Sequence, residues 1–159
     1  MKINTSGNWP FFSEYNDQDY ILSHDDRKIV VLREPKESRE YRLENKSGKE
    51  LVVYQIDGGV ITCNSVIKCD FGVFTEDNEL IFVELKGSDY IHALEQIIGT
   101  IGLLIVKPAI YVARLNARIV LSKVSVPAIM PSQEKRLLAI VKSKGGNFIK
   151  QSRVLRESI

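Results

Sequence analysis

CDFGVFTEDNELIFVELK, residues 69 to 86, is the stretch that decides how this chain is read. Two runs rich in Val, Ile, Leu and Phe, Lys68 to Thr75 and Leu80 to Lys86, flank the polar link Glu76-Asp77-Asn78-Glu79. Runs of that kind joined by a short polar connector predict a β-hairpin. Strand side chains alternate between two faces, so Glu84 and Lys86 share one. A turn centred near Asp77 sets Asp70 directly opposite Glu84, with Cβ atoms about 5 Å apart. Like charges so opposed are destabilising unless a cation lies between them. Mg2+, which takes one or two carboxylates together with waters and phosphate oxygens, suits that position. The neighbours Phe71, Val73, Phe74, Phe82, Val83 and Leu85 are apolar, so two carboxylates and an ammonium stand in otherwise hydrophobic strands. A plain surface ion pair of Glu84 with Lys86 or Lys68, worth under about 1 kcal/mol, leaves the opposition of Asp70 and Glu84 unexplained.

Outward from the hairpin, Gly87-Ser88-Asp89 offers Ser88 or Asp89 as a helix cap. Ile91, Leu94, Ile97, Ile98, Ile101 and Leu104 or Ile105 then recur at three- and four-residue spacing, predicting a helix from Tyr90 to Ile105 that Lys107-Pro108 ends. Upstream, Lys28 to Arg33, Arg39 to Glu44 and Glu50 to Ile56 read as strands, Asp57-Gly58-Gly59 as a turn and Val60 to Thr62 as a short strand. Downstream, Ala109 to Leu115 and Ile119 to Val126 read as strands. Pro131 opens a helix to about Lys144, stopped by Gly145-Gly146, and Phe148-Ile149 reads as a last short strand. Residues 1 to 25 yield no clear element. The expected fold is α/β: a single domain over residues 1–159, with a mixed central β-sheet and flanking helices.

Cys69-Asp70-Phe71 and Val83-Glu84-Leu85-Lys86, followed by a helix, resemble the signature of the PD-(D/E)xK nuclease superfamily. The resemblance covers a core of about residues 50–115, matching that family's restriction-endonuclease-like order of strand, hairpin, helix and strand. It implies Mg2+-dependent hydrolysis of DNA phosphodiesters leaving 5′-phosphates, with Mn2+ able to substitute. Asp70 and Glu84 become metal ligands with the carbonyl of Leu85, and Lys86 the catalytic lysine. Cys69 stands where the family name has Pro. Many members carry a further Glu on an N-terminal helix. Without a clear helix there, Glu37, Glu40, Glu44 and Glu50 are all possible, with Glu44 or Glu50 the choice, and Gln96 matches a helix Gln of some members. Hydrolysis of a phosphodiester needs a hydroxide-like nucleophile and charge stabilisation on the non-bridging oxygens, which a bound metal and a nearby ammonium supply.

The chain has 159 residues and 22 Lys and Arg against 20 Asp and Glu, a net of +2 that by itself does not suggest a nucleic-acid partner. The distribution does. Residues 1 to 106 hold 11 basic and 18 acidic side chains, and residues 107 to 159 hold 11 and 2. The basic C-terminal segment, residues 116–159 with Arg114 just ahead of it, offers Arg114, Arg118, Lys123, Lys135, Arg136 and Lys142 as phosphate contacts, which would make binding salt-dependent. No Gly-rich phosphate loop or Ser-His-Asp set is visible, and His24 and His92 have no recognisable partner. Cys63 and Cys69 lack the spacing of a zinc site and read as free thiols, buried or half-buried. The longest apolar stretch, Ile97 to Val106, is far short of the roughly 20 residues of a membrane span. With no leader-like start, a cytoplasmic location is expected and no membrane partner. DNA is the expected partner. Cutting both strands suggests a homodimer, and a protein partner could supply specificity. The alternative function is a catalytically silent module of the same fold that binds nucleic acid or assembles with a protein.

Overall fold

The computed structural model describes residues 3–123 and 129–159. Among the described residues nine strands and three α-helices run α1 (Pro10–Glu14), β1 (Ile21–Asp25), β2 (Ile29–Arg33), β3 (Glu40–Glu44), β4 (Leu51–Gln55), β5 (Phe71–Thr75), β6 (Glu79–Lys86), α2 (Tyr90–Ile101), β7 (Arg114–Leu121), α3 (Ser132–Ser143), β8 (Phe148–Ser152) and β9 (Val154–Ser158). Six strands form one mixed sheet in the order β1-β4-β5-β6-β7-β8. Its first three pairings are antiparallel, whereas β6–β7 and β7–β8 are parallel. The β6-α2-β7 crossover makes the first parallel pairing. A second sheet, β2-β3-β9, joins β9 to β3 in parallel.

Alternation along the strands explains the layering. In β4, β5 and β6 the even positions Val52, Tyr54, Phe74, Leu80 and Phe82 pack with Leu94, Ile97 and Ile101 of α2 and Leu137 of α3. The odd positions Val53, Val73, Ile81, Val83 and Leu85 pack against Leu32, Tyr41, Leu43 and Leu155 of the second sheet. The central sheet is therefore buried on both faces, which is why its strands read as nearly continuous apolar runs. The hairpin has the expected register: Phe71 pairs with Val83, Gly72 with Phe82 and Val73 with Ile81. Asn78, at φ 59, makes the tight turn.

Several expectations are corrected. The two strands expected at Ala109–Leu115 and Ile119–Val126 are one strand, β7, since Ala109 takes φ 55 after Pro108 and the chain reaches the sheet only at Arg114. Residues 124–126 of that expectation lie outside the described residues. The Arg-Leu-Asn-Ala-Arg sequence looks too polar for a central strand, but its polar side chains have internal partners: Asn116 Nδ2 donates to Glu79 and Arg118 to Glu157. Val60 to Thr62 forms no strand, only a bridge of Ile61 to Asp57. Asp89 caps α2, its Oδ1 accepting from the His92 amide at 3.0 Å. The helix widens to π over Gly102–Val106, and there the Tyr15 hydroxyl donates to the Leu104 carbonyl at 3.1 Å. β1, α1 and β9 had no sequence signal. Among the described residues no helix is long and apolar enough to cross a membrane.

Candidate active site at the open end of the hairpin

β5 stops at Phe71 while β6 continues to Lys86, so Asp70, Glu84, Leu85 and Lys86 meet where the hairpin opens. The two carboxylates are wired into the backbone. The Asp70 amide donates to Glu84 Oε2 at 3.1 Å, and the Leu85 amide donates to Asp70 Oδ2 at 2.9 Å. Each carboxylate thus spends one oxygen on fixing its orientation. Asp70 Oδ1 and Glu84 Oε1 accept no hydrogen bond from the described residues and remain for another ligand. Because N–H and C=O of one residue point to the same side of a strand, the Leu85 carbonyl also faces the Asp70 side, beyond the end of β5. Lys86 makes no hydrogen bond or ion pair with a described residue, and its charge acts on both carboxylates through space.

Burial dominates the electrostatics. Glu84 is 2% exposed. Desolvation first, then the facing charge of Asp70, push its pKa up to about 9, with Lys86 opposing. Desolvation likewise raises Asp70 to about 6 against the Leu85 amide, while the carboxylates of Glu34 and Asp57 add to the rise. Asp70 thus feels the charges of Glu34 and Asp57 and raises Glu84 in turn, with the unpaired Lys86 ammonium opposing, an arrangement that a cation would relieve. Two carboxylates and a backbone carbonyl are oxygen donors of the kind Mg2+ takes together with waters or phosphate oxygens. Among the described residues there is no group of three or more His, Cys, Asp and Glu side chains set to hold a metal, so the fit rests on this pair.

Behind the carboxylates, Thr100 of α2 fixes the approach to Asp70: its Oγ1 accepts from the Cys69 amide at 2.8 Å and donates to the Gln96 carbonyl at 2.8 Å. Thr100→Val should lower stability by about 1–2 kcal/mol through the buried amide left unpaired, read as a fall in the urea midpoint without a change in m. Gln96 reaches the same region. Its Nε2 donates to the Lys68 carbonyl at 3.1 Å, and its enclosed Oε1 has no partner. Gln96 and His92 line a small cavity of about 260 Å3 with Asp57, Asn64 and Lys68. Lys68, 8% exposed, ties this loop down by donating to the carbonyls of Cys63 and Val66 beside Asp57. Asp57 and Glu34 carry no site signal in the sequence, and Lys68, considered there only as a surface ion-pair partner of Glu84, is buried and pairs with Asp57. Asp57 follows a strand at a Gly-Gly turn and Glu34 lies in a charged hairpin tip, settings common to solvated side chains. Both thiols are free, Cys69 buried as expected and Cys63 exposed instead.

No family model, curated protein or solved structure matches the chain.

Other candidate residues lie elsewhere. Glu50 adjoins the hairpin turn, its carbonyl accepting from the Glu76 amide, roughly 20 Å along the strands from Asp70. There its carboxylate accepts from the Ile3 amide at 2.9 Å and meets His24 Nε2 at 2.6 Å. Glu44 belongs to β3 in the second sheet, beside Lys46. Neither reaches the carboxylate pair, because the strand directions carry both away from it. The six basic residues do not form one patch either. Arg114 starts β7 at the end remote from Glu84 and pairs with Glu79 at 3.3 Å. Arg118 is 4% exposed and grips Glu157 through Nε at 2.5 Å and Nη2 at 3.3 Å. Lys142 sits in the last turn of α3, and the carbonyl of nearby Lys144 accepts from the Leu115 amide at that same remote end. Lys135 and Arg136 are exposed on α3, Arg136 beside the α2–α3 groove. Lys123 alone of the six follows the end of β7 that adjoins Gly87. Arg114→Ala and Lys142→Ala should therefore leave duplex DNA binding within about two-fold of wild type in a salt titration, whereas a C-terminal basic patch would lose affinity uniformly and a unit of salt slope with each.

Proposed function

We propose that this protein is a divalent-metal-dependent nuclease of the PD-(D/E)xK type that hydrolyses DNA phosphodiesters. The observation that carries the reading is the Asp70–Glu84 pair, Glu84 buried and Asp70 half-buried, each carboxylate oriented by a backbone amide and left with one uncommitted oxygen, beside the unpaired Lys86. The strand arrangement supports it: an antiparallel β4-β5-β6 meander, then α2, then β7 parallel to β6, agrees with the order of strand, hairpin, helix and strand expected of a restriction-endonuclease-like core.

Asp70 Oδ1, Glu84 Oε1 and the Leu85 carbonyl would hold Mg2+, with Mn2+ substituting. Such an ion lowers the pKa of bound water and offsets charge on the non-bridging phosphate oxygens. The chain's own residues do the rest. The Leu85 and Asp70 amides keep both carboxylates from turning away as substrate arrives. The Lys86 ammonium, two residues beyond Glu84 on the same face, lies where negative charge grows as water attacks phosphorus and the bond to the leaving 3′-oxygen breaks. Burial of Glu84 keeps bulk water from screening these charges.

The test is incubation of the full chain with single-stranded, duplex and branched DNA, and with RNA, in Mg2+ or Mn2+. Cleavage of a DNA substrate with 5′-phosphate ends is the expected result. A protein inert on all of them overturns the reading and leaves the silent module, which the presence of only two well-placed carboxylates would favour. DNA as partner, a dimer and an added specificity subunit stand as parts of the same proposal.

A further inference from the structure

The hairpin between β2 and β3 ends beside the carboxylate site. The charge of Glu34, at the end of β2, acts on Asp70, and the Glu37 amide donates to the Glu34 carbonyl at 3.2 Å across the tip. Arg39, entering β3, reaches the central sheet: its Nη1 donates to Ser122 Oγ at 2.8 Å. The Ser122 amide in turn donates to the Gly87 carbonyl at 2.9 Å, so the guanidinium rests on the residue next to Lys86-Gly87. These atoms lie at the C-terminal edge of the parallel strands β6 and β7, the edge at which open α/β sheets take their ligands.

The way Arg39 is bonded is incomplete. A guanidinium offers a side-on fork, Nε with Nη2, that matches two oxygens of a carboxylate or phosphate. Arg118 of this chain uses that fork fully, placing Nε and Nη2 on the two oxygens of Glu157. Arg39 uses half of it. Nη2 meets Glu37 Oε2 at 3.0 Å, while Nε is enclosed and donates to nothing. The Arg39 side chain is 12% exposed and Glu37 is 45% exposed. Glu37 is thus a loosely held cover on a fork whose inner donor lacks an acceptor, a costly arrangement for a group shielded from water. A tetrahedral oxyanion arriving from solvent can displace Glu37 and engage both donors.

We propose that Arg39 is a phosphate-holding residue: its Nε–Nη2 fork binds a backbone phosphate of the nucleic acid next to the one facing Asp70, Glu84 and Lys86, in exchange for Glu37. The proposal rests on the nuclease reading of the carboxylate site, but concerns binding and not the cut. Ser122 fixes the guanidinium on the main sheet. The β2–β3 tip, with Glu34 and Glu37, then serves as the side of a channel in which the strand runs from Lys86 past Ser122. Arginine is required because the fork needs two parallel donors, which an ammonium lacks.

The experiment measures binding of a fluorescein-labelled duplex to the full chain in Ca2+, across a salt series, for wild type, Arg39→Ala, Arg39→Lys, Glu37→Gln and Lys46→Ala as a remote charge control. Arg39→Ala should weaken binding about ten-fold and reduce the slope of log affinity against log salt by about 0.9. Arg39→Lys should restore the slope but not the affinity, and Glu37→Gln should tighten binding about three-fold by removing the competing carboxylate. Lys46→Ala should match wild type. Wild-type affinity and slope in Arg39→Ala, or unchanged affinity in Glu37→Gln, would overturn the proposal. If Arg39→Ala does not fold, as a circular dichroism melt would reveal, Glu37→Gln decides alone, since Glu37 anchors nothing in the core. Cleavage in Mg2+ is scored separately. Wild type that binds through Arg39 without cutting sinks the nuclease reading only; wild type that cuts, with binding indifferent to Arg39 and Glu37, sinks this inference only.

Discussion

Lys86→Ala and Asp70→Ala should each reduce Mg2+-dependent cleavage of DNA by about a thousand-fold or more while leaving the fold intact. The two losses have different origins and separate in a metal titration. Lys86 has no partner among the described residues and is half-exposed at the end of β6, so its removal breaks no packing. What disappears is a positive charge at the point where charge develops, and kcat should fall with Mn2+ binding unchanged. Asp70, by contrast, contributes one oxygen to the Leu85 amide and one to the proposed ion. Asp70→Ala should abolish Mn2+ binding by calorimetry, and excess metal should not restore activity. Cleavage by either variant at near wild-type rates would remove the basis for assigning chemistry to this hairpin. Asp70→Asn keeps an acceptor for the Leu85 amide, so it tests the charge with the backbone contact preserved.

The second large effect is on stability. Glu84 has its pKa raised to about 9 in the folded chain, above the 4.5 of an unburied Glu, chiefly by burial and then by the facing Asp70. A folded state that holds its proton more tightly than the unfolded state loses stability as pH rises. The contribution is therefore complete below about pH 4.5 and is lost progressively as pH climbs through the folded value of about 9. Asp70, raised from 3.8 to about 6, adds a smaller decline over that lower window. Metal-free protein should accordingly melt at lower temperature at pH 8 than at pH 6. Glu84→Gln, neutral at every pH and able to keep the Asp70 amide bonded, should raise metal-free stability at pH 8 by about 2 kcal/mol and flatten the pH dependence. Mg2+ should reverse the comparison: it binds only the deprotonated pair, releases protons on binding, and stabilises wild type more at pH 8 than at pH 6 while leaving Glu84→Gln unmoved. Denaturant melts at the two pH values, with and without Mg2+, measure all four terms. A variant no more stable than wild type at pH 8 would mean that the carboxylate is not under electrostatic load.

That load explains the form of the site. Replacing the pair by apolar groups would stabilise the metal-free fold, as burying like charges costs more than their backbone hydrogen bonds return. A carboxylate pair, one member buried and the other half-buried, kept at the end of a hairpin built mostly from Val, Ile, Leu and Phe is stability given up at one place. Strain of this kind concentrates where a ligand is bound or a reaction is run. The same logic distinguishes the basic residues. Arg118 is bonded through all three of its nitrogens, to Glu157 and two carbonyls, and serves the fold. Arg39 is half satisfied and rests on Ser122, whose amide donates to the Gly87 carbonyl.

Local rules carried the sequence reading a definite distance. The hairpin of β5 and β6, its register and the shared face of Asp70, Glu84 and Lys86 were legible because period-two alternation and a short polar turn are properties of neighbouring residues. So was α2, from its three- and four-residue apolar spacing and the Asp89 cap. What neighbouring residues do not encode was decided by long-range pairing. β1 becomes a strand only by lying against β4, and β9 only by pairing with β3 more than a hundred residues earlier. Asn116 and Arg118 look like turn residues until Glu79 and Glu157 arrive from distant strands to satisfy them. The basic C-terminal segment was real as a count and misleading as a surface, since strand direction sends Arg114 and Lys142 away from the carboxylates and buries Arg118. By itself the sequence determined which three side chains share a face. Tertiary structure decided which other charges act on them, Asp57 and Glu34 in place of Glu44 and Glu50, because proximity across a sheet depends on strand order and direction, which no local pattern records.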